Sequence, residues 1–569
     1  MSASWKRGLA TTVSIGMVGA LLAGCSTPSP STGQQMGATS RPVEGGQITV
    51  DMTQAVPDLD PAVAFDTTSA EVLQQVYEPL VTYKGGTDQI TGDLAKNWSI
   101  SKDGKTYTFH LRKGVTFSNG DPMTAQDFVF ELKRILNPNM QPKPSPGSGF
   151  FMNIVGAQAF VNGKSTDISG VSTPNDHTIT FRLIKPQQFF LKILAMQFLS
   201  AVDPKFVKQH GNAAMDTTAA MGTGPFEVKL NSSSQVILVK NPHYWQKDKY
   251  GQRLPYLNQI TFNVNNDTQV DAMHWEKGQT ALLSPWLMGG DGIPGSVYPI
   301  IMDSPKLRKY VMQRPMNAIY YIGLNVKKEI NGKPNPLSNL KVRQAIEYGF
   351  NREMFVKINN GAVQPANQPL PSSLAGYVNH LNPSAQYSYN PAKAKQLLKE
   401  AGYANGLTLD MWNENLDTSK EEDQAFQAMM KKIGITVNLH EVSWSDFLAE
   451  DMSGNAQIVE SAWQQDFPDA SDFLDTLFNS SQIPENNTIN YSNPQVDQWL
   501  NQAEYLNNAQ ERDQLYAKVI NQVMSDATWV PTYQLEGHWC VQPWLHGFYT
   551  SSVIYDPFAY TWVDPSHRS

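Results

Sequence analysis

Residues 94–130 read LAKNWSISKDGKTYTFHLRKGVTFSNGDPMTAQDFVF, and this segment says more about the fold than any other. Tyr107, Phe109 and Leu111 alternate with polar residues, which is the period of a half-buried β-strand. The Asp103–Gly104 pair before them can adopt the positive φ angles of a tight hairpin turn. The pattern therefore predicts a strand that follows a hairpin turn.

The second half of the same segment predicts a turn and then a helix. Asn119–Gly120 is a turn dipeptide, and the Thr124-x-x-Asp127 spacing is a capping box that opens a helix. The apolar stripe of that helix is predicted to contain Phe128, Leu132 and Leu136.

Length and composition limit the class of protein. A chain of 569 residues is too long for one hydrophobic core, so two or three domains are expected. The formal net charge of −8 argues against a general nucleic-acid binder, which needs a basic face.

The N-terminus has the features of a targeting segment. Lys6 and Arg7 precede an apolar run, residues 8–22, that is short for a bilayer crossing. The run ends in Leu-Ala-Gly-Cys at 22–25, which resembles the lipobox of bacterial lipoproteins. The resemblance implies a signal peptide over 1–24, lipidation of Cys25 and a membrane anchor. A plain signal peptide or a short membrane anchor is the alternative.

Residues 25–46 are expected to form a flexible tether, because after Cys25 they are rich in Ser, Thr, Pro, Gly and Gln. About twenty such residues give a root-mean-square reach of roughly 25 Å. Only Cys540 remains after lipidation, so no intramolecular disulfide is expected, and we predict that it is a buried small hydrophobe.

Two further segments predict helices followed by turns or strands. Asn390 can cap a helix that starts at Pro391, and Gly402 can end it in the left-handed conformation. A second apolar stripe precedes Gly434 and an apolar strand at 435–439. The alternation indicates α/β lobes with mixed sheets. The two stripes contain Ala394, Leu397, Leu398 and Ala401, and then Phe426, Met429, Met430 and Ile433.

The sequence of residues 94–130 closely resembles the signature block of bacterial extracellular solute-binding proteins of the oligopeptide, dipeptide and nickel class. Further matching segments lie before and after this block in the expected order, so the resemblance covers nearly all of the mature chain. They are LDPA at 59–62, VLQQVYEPL at 72–80, GTGPF at 222–226, NPHYW at 241–245, VRQAI at 342–346 and AKQLLKEAG at 394–402.

The resemblance implies an α/β fold: a two-lobed clamshell like the periplasmic binding proteins, with an extra subdomain and mixed sheets. Lobe I would combine 47–80, 205–315 and 531–569. The extra subdomain would be 81–204, and lobe II would be 316–530.

The resemblance also implies a function. The chain would be a monomeric lipoprotein on the outer face of the cell membrane, or in the periplasm. It would bind short peptides between its lobes and deliver them to the permease subunits of an ABC importer. No cofactor, metal ion or nucleic acid is expected.

The ligand-binding residues implied by the resemblance lie in two segments. Asp466 would hold the ammonium group of a peptide, since a cation that enters a poorly solvated cleft needs an ionised partner. Trp463, Gln464, Trp444 and Leu448 would contact the ligand from lobe II. From lobe I, the contacts would be Ala64, Phe65 and Asp66.

Two positions depart from the oligopeptide-binding pattern. Asp451 and Glu460 are acidic where well-known members carry arginine. A basic contact to a peptide carboxylate therefore cannot be transferred, and a cationic or C-terminally modified ligand is conceivable.

Three alternatives remain open. The first is a secreted hydrolase, although the sequence has no G-x-S-x-G, H-E-x-x-H or C-x-x-C motif and its ten histidines are scattered. The second is the same fold with a nickel chelate, haem or an oligosaccharide as ligand. The third is a sensor that uses the clamshell for signalling.

Overall fold

The computed structural model of the chain describes residues 41–567 except 266, 286, 288–292, 294–296, 415–416 and 485. The predicted signal peptide, Cys25 and most of the predicted tether lie outside the described residues. Within the described part of the chain, no helix has the length and apolar character that a membrane crossing requires.

The bounds of the regular elements are as follows. The strands are β1 (Gln47–Met52), β2 (Val81–Tyr83), β3 (Ile90–Gly92), β4 (Ala95–Ile100), β5 (Thr106–Leu111), β6 (Val171–Asn175), β7 (Thr178–Arg182), β8 (Phe226–Asn231), β9 (Gln235–Lys240), β10 (Gln259–Val264), β11 (Leu282–Leu283), β12 (Val311–Leu324), β13 (Glu329–Ile330), β14 (Lys333–Pro334), β15 (Val363–Pro365), β16 (Leu407–Glu414), β17 (Ile435–Val442), β18 (Ile458–Gln464), β19 (Trp529–Val541), β20 (Leu545–His546) and β21 (Trp562–Val563). The α-helices are α1 (Thr67–Val76), α2 (Ala125–Ile135), α3 (Ala157–Val161), α4 (Phe190–Ile193), α5 (Pro204–His210), α6 (Asn212–Thr217), α7 (Thr268–Glu276), α8 (Tyr298–Met302), α9 (Leu340–Gly349), α10 (Arg352–Ile358), α11 (Pro391–Glu400), α12 (Asp417–Ile433), α13 (Trp444–Met452), α14 (Ala470–Phe478), α15 (Pro494–Tyr505) and α16 (Ala509–Ser525).

The segment 94–130 folds as its pattern predicts. Its alternating residues lie on β5, where Tyr107, Phe109 and Leu111 are buried, and Gly104 and Gly120 have positive φ angles. The capping box of Thr124 opens α2, and the predicted stripe of that helix is buried. β5 belongs to an antiparallel sheet of order β4-β5-β7-β6, which shares one hydrophobic cluster with α2.

Two larger sheets form the rest of the frame. The first has the order β1-β10-β9-β8, in which only β1 and β10 are parallel. The second has seven strands, ordered β11-β19-β12-β18-β16-β17 with β15 beside β19, and it mixes parallel and antiparallel pairs. The prediction of mixed sheets is confirmed.

The long antiparallel strands β12 and β19 lie side by side in the seven-stranded sheet. The first half of β12 pairs with the second half of β19, which also pairs with β11, whereas the second half of β12 lies between β19 and β18. The predicted boundaries 315/316 and 530/531 fall inside these two strands. The boundaries remain predictions, and two continuous strands cross them.

The helix predictions at 390–402 and 426–434 are confirmed. Asn390 caps α11, and its side chain accepts a hydrogen bond from the Lys393 amide. Gly402 and Gly434 have positive φ angles of 91° and 99°. In α12 the predicted stripe is buried, and the strand β17 follows directly.

Candidate functional site

A cavity of about 500 Å³ lies among segments that are far apart in the sequence. This volume is within the range of small-molecule sites. Its walls include the end of α1 and the β2–β3 hairpin, the segment 464–468 that follows β18, and the C-terminal segment 549–560. By the predicted boundaries, its lining residues come from both lobes and from the extra subdomain.

Two walls of the cavity are joined by hydrogen bonds to the C-terminal segment. Gln74 of α1 donates to the carbonyl of Tyr555 (3.0 Å) and accepts from its amide (2.9 Å). Gln465 donates from Nε2 to the carbonyl of Ser552 (2.7 Å) and accepts at Oε1 from Asn317 Nδ2 of β12 (2.6 Å). The segment after β18 is therefore held at its main chain and side chains, which fixes the residue that follows Gln465.

That residue, Asp466, presents a carboxylate to the cavity. Its main-chain amide donates to Asp472 Oδ2 of α14 (2.9 Å), so the backbone position is fixed from behind. Its own carboxylate has no side-chain hydrogen bond to any described residue, and burial raises the pKa of Asp466 to about 7. The pKa of Asp472 is also raised, by burial and by the charge of Asp466. A cation at this point would relieve the cost of burying the carboxylate.

The next residues connect this segment to α4 and the residue before it. The Phe467 ring stacks on Phe189 with the ring centroids 5.2 Å apart. Asp469 is buried between Lys192 Nζ (3.1 Å) and the guanidinium of Arg512 (2.9 Å from Nη1). These cations outweigh burial and hold the pKa of Asp469 well below its usual range. Asp469 thus has its partners within the fold, whereas Asp466 faces the cavity.

A second acidic group lies in the same cavity near Arg112. Glu78 accepts hydrogen bonds from Trp245 Nε1 (2.9 Å) and from the Tyr244 hydroxyl (3.1 Å), so its carboxylate is engaged by the fold. Burial raises the pKa of Asp93 to about 7, and the nearby Arg112 offsets part of that effect. The Arg112 guanidinium lies 4.6 Å from the Trp245 ring centre, and its Nε donates to the main-chain carbonyl of Asp93 (2.6 Å). With Asp466, the cavity has three lining carboxylates, and Arg112 and Lys84 are its lining cations.

Two of the ligand-contact residues implied by the resemblance, Gln464 and Asp466, line this cavity. Trp463 lies on β18 and packs against the hydrophobic cluster beneath α14, with its Nε1 3.4 Å from Asp472 Oδ2. Leu448 packs against the cluster around Phe447. Trp444 begins α13, and its side chain is outside the described residues.

The three lobe I residues lie beside the cavity wall rather than in its lining. Ala64 is buried, and its carbonyl accepts a hydrogen bond from Gln197 Nε2 (3.1 Å), a residue that does line the cavity. Phe65 is 50% exposed, with its ring 5.6 Å from that of Phe198. Asp66 caps α1 by accepting from the Ser69 amide (2.8 Å).

The two acidic departures from the family pattern are both buried. Glu460 accepts a hydrogen bond from Asn413 Nδ2 (2.7 Å), and its pKa is raised by burial and by the neighbouring Glu422 and Asp423. Burial also raises the pKa of Asp451 to about 6. Neither residue lines the cavity.

Comparison with known proteins identifies the family. The model of the bacterial extracellular solute-binding proteins, family 5, matches residues 89–485. The chain belongs to this family. It is 30% identical to heme-binding protein A of Haemophilus influenzae over 527 residues, which cover 89% of this chain and 90% of that protein. It is 29% identical to the dipeptide-binding protein of Escherichia coli over 423 residues, which cover 71% of this chain and 73% of that protein.

Solved structures confirm the predicted fold class, the two-lobed clamshell with mixed sheets. The DppA periplasmic binding protein of Helicobacter pylori, in complex with the peptide STSA, matches with a TM-score of 0.75 at 26% identity, covering 92% of this chain and 98% of that one. The murein tripeptide binding protein MppA of Escherichia coli matches with a TM-score of 0.77 at 24% identity, and the match covers 92% of this chain and 99% of MppA. These relatives are named as binding proteins, and those named periplasmic work outside the cytoplasm.

Proposed function

We propose that this family 5 protein captures short peptides in the cavity and delivers them to the permease of an ABC importer. The observation that carries the proposal is Asp466, a half-buried residue of the cavity lining whose carboxylate has no side-chain hydrogen bond to a described residue. A peptide supplies the matching group, since its N-terminal ammonium is a cation with three donors. The named ligands of two relatives, a dipeptide and the peptide STSA, support this choice of ligand class.

The ammonium contact alone does not account for useful affinity. A charge-assisted hydrogen bond contributes on the order of 1.5–3 kcal/mol, whereas micromolar binding needs about 8 kcal/mol. Main-chain pairing with the peptide would supply most of the remainder, and such pairing tolerates varied side chains. Glu78, Asp93 and Asp466 outnumber the two lining cations, Arg112 and Lys84, and burial raises the pKa of all three carboxyl groups. Above pH 7, peptides with an additional cationic side chain should therefore bind better than acidic ones.

The arrangement of the walls supports a closure mechanism. Ligand contacts from several parts of the chain are made together only when the lobes are closed, so the ligand favours the closed form. The permease would then recognise that form. The chain itself carries out no reaction on the peptide in this proposal, and ATP hydrolysis belongs to the partner subunits.

The N-terminal part of the proposal is a lipid anchor at Cys25, with the globule held by its tether as a monomer outside the membrane. Intact-mass measurement of the protein from its own host tests this anchor. A diacylglyceryl-modified N-terminus at Cys25 is expected, and an unmodified Cys25 in the mature protein would contradict it.

Calorimetry with a free tetrapeptide and its N-acetylated form tests the peptide proposal. The free peptide is expected to bind with one site per chain, and acetylation is expected to weaken binding at least tenfold. Equal binding of both forms would contradict the ammonium contact, and cleavage of the peptide would contradict a pure receptor.

A further inference from the structure

A cluster of three side chains at the end of β1 is not part of the cavity. Asp51 lies on β1, and Asp271 and His274 lie one turn apart on α7. One carboxylate oxygen of each aspartate and a ring nitrogen of His274 lie within 4.8 Å of one another. No spacing in the sequence indicates this grouping, because Asp51 is 220 positions from Asp271.

Both aspartates are buried, and the fold satisfies them incompletely. Asp51 is 3% exposed and Asp271 is fully buried. Asn265 Nδ2 donates to Asp271 Oδ1 (2.5 Å), but Asp271 Oδ2 is buried and no nitrogen or hydroxyl donor of a described residue reaches it. A buried carboxylate oxygen without a donor is costly, since nothing replaces the water that it loses on folding.

The charges of the cluster are also unbalanced. Among the ion pairs formed by described residues, Asp51 has only His274, with Nδ1 2.6 Å from Oδ2, and Asp271 has none. No described lysine or arginine lies within ion-pair distance of either aspartate. Two adjacent buried carboxylates with one imidazole therefore lack the positive charge that buried carboxylates normally have beside them.

We propose that Asp51, Asp271 and His274 form a binding site for one divalent transition-metal ion, with zinc as the ion that fits the donor set best. Two carboxylate oxygens and one imidazole nitrogen are a donor set that zinc accepts, with water in the fourth position. A dipositive ion would balance both aspartates and occupy the side of Asp271 Oδ2 that lacks a donor.

The geometry allows such an ion with a small adjustment. Zinc ligands lie about 2 Å from the metal, so the His274 ring must move slightly away from Asp51 to admit the ion between them. The His274 side chain is 38% exposed, which leaves it room to move. The bound ion would tie the end of β1 to α7 within lobe I, so it would stabilise the fold rather than contact the solute.

Calorimetric titration of metal-stripped full-length protein with zinc chloride, and separately with calcium chloride, tests the site. We expect one zinc ion per chain, a higher melting temperature with zinc, and much weaker binding of calcium. Asp271→Asn and His274→Gln should each weaken zinc binding at least 30-fold and remove the rise in melting temperature. His210→Gln, which removes an exposed histidine elsewhere, is the matched control and should leave zinc binding unchanged.

Each unfavourable result would count against a specific part of the proposal. No zinc binding, or zinc binding that survives both Asp271→Asn and His274→Gln, would overturn the site itself. Binding of calcium in preference to zinc would overturn the choice of metal. If Asp271→Asn does not fold, His274→Gln decides the question alone, because its half-exposed ring is not needed for the core.

Discussion

Replacement of Asp466 by asparagine removes the negative charge that faces the cavity and keeps the size of the side chain. Because the lost contact is a charge-assisted hydrogen bond worth about 1.5–3 kcal/mol, affinity for a free peptide should fall about 10- to 150-fold. An N-acetylated peptide lacks the ammonium group, so Asp466→Asn should change its affinity little. Calorimetry on both proteins with both peptides completes the double-mutant cycle.

The pH dependence gives the same prediction a second, independent measurement. The pKa of Asp466 is raised to about 7 by burial, and the ammonium binds the ionised carboxylate, so acid competes with the peptide. Since a peptide amine has a pKa of about 7.7–8.0, and the uncharged side chain should keep about 1/10 to 1/150 of the affinity, binding should be strongest near pH 7.5 and about 5- to 15-fold weaker at pH 5.5. For a peptide without a cationic side chain, this acid limb should be absent in Asp466→Asn.

Asp167→Asn is the control for the loss of one carboxylate, because Asp167 is 79% exposed and pairs with Lys133 at the surface. It should bind the free peptide like the unmodified protein. Unchanged affinity in Asp466→Asn, or an acid limb that persists in that variant, would refute the role given to Asp466.

Three further predictions concern stability and closure. Glu460→Gln should raise the melting temperature more at pH 8 than at pH 5. The pKa of Glu460 is raised, and that of its neighbour Glu422 is about 7. The folded state therefore binds more protons than the unfolded state and loses stability as pH rises from about 4.5 to 7. Equal shifts at both pH values, measured by calorimetry, would contradict this. Arg512→Met leaves Lys192 as the only described cation beside the buried Asp469. The loss should cost about 3 kcal/mol and lower the denaturant midpoint, and an unchanged midpoint would show that Lys192 suffices. Lys192→Ala removes the hydrogen bond to the Pro468 carbonyl and the ion pair with Asp469, so the clamshell should open more readily. Small-angle scattering should then give a larger radius of gyration. An unchanged radius would count against a role of this contact in closure.

Local elements of the fold could be predicted because their causes are local. The Thr124 capping box, the alternation of Tyr107 and Phe109, and the left-handed Gly402 depend on neighbours within a few residues, and the structure confirms each of them. The order of the sheets has another origin. The pairing of β12 with β19 joins residues about 200 positions apart, and no periodicity in either segment specifies its partner.

For the candidate site too, some residues could be predicted from local sequence and others could not. A short family motif points to Asp466, and the structure places this residue at the cavity. No motif points to Asp93, because only the fold brings this residue to the same cavity as Asp466. Glu78 lies in the VLQQVYEPL segment at 72–80, so the family resemblance of that segment could have pointed to Glu78 as a site residue. Asp66 is predicted to contact the ligand, but it does not line the cavity. Its carboxylate caps the start of α1 instead, which is a common role for an aspartate before a helix.

The histidines give a further example of what spacing cannot show. His274 has no histidine or cysteine nearby in the sequence, so spacing predicts no metal site. The fold brings it to Asp51 through the packing of α7 beside β1. A site assembled across an element boundary of this kind can be found only from the structure.

Native mass spectrometry of the protein purified from its own host tests the central claim most directly, because it identifies what the cavity holds. We expect additional masses that correspond to short peptides, released on unfolding and sequenced as free N-terminal peptides, with cationic residues enriched. A bound haem, a metal chelate or an oligosaccharide at one per chain would contradict the account.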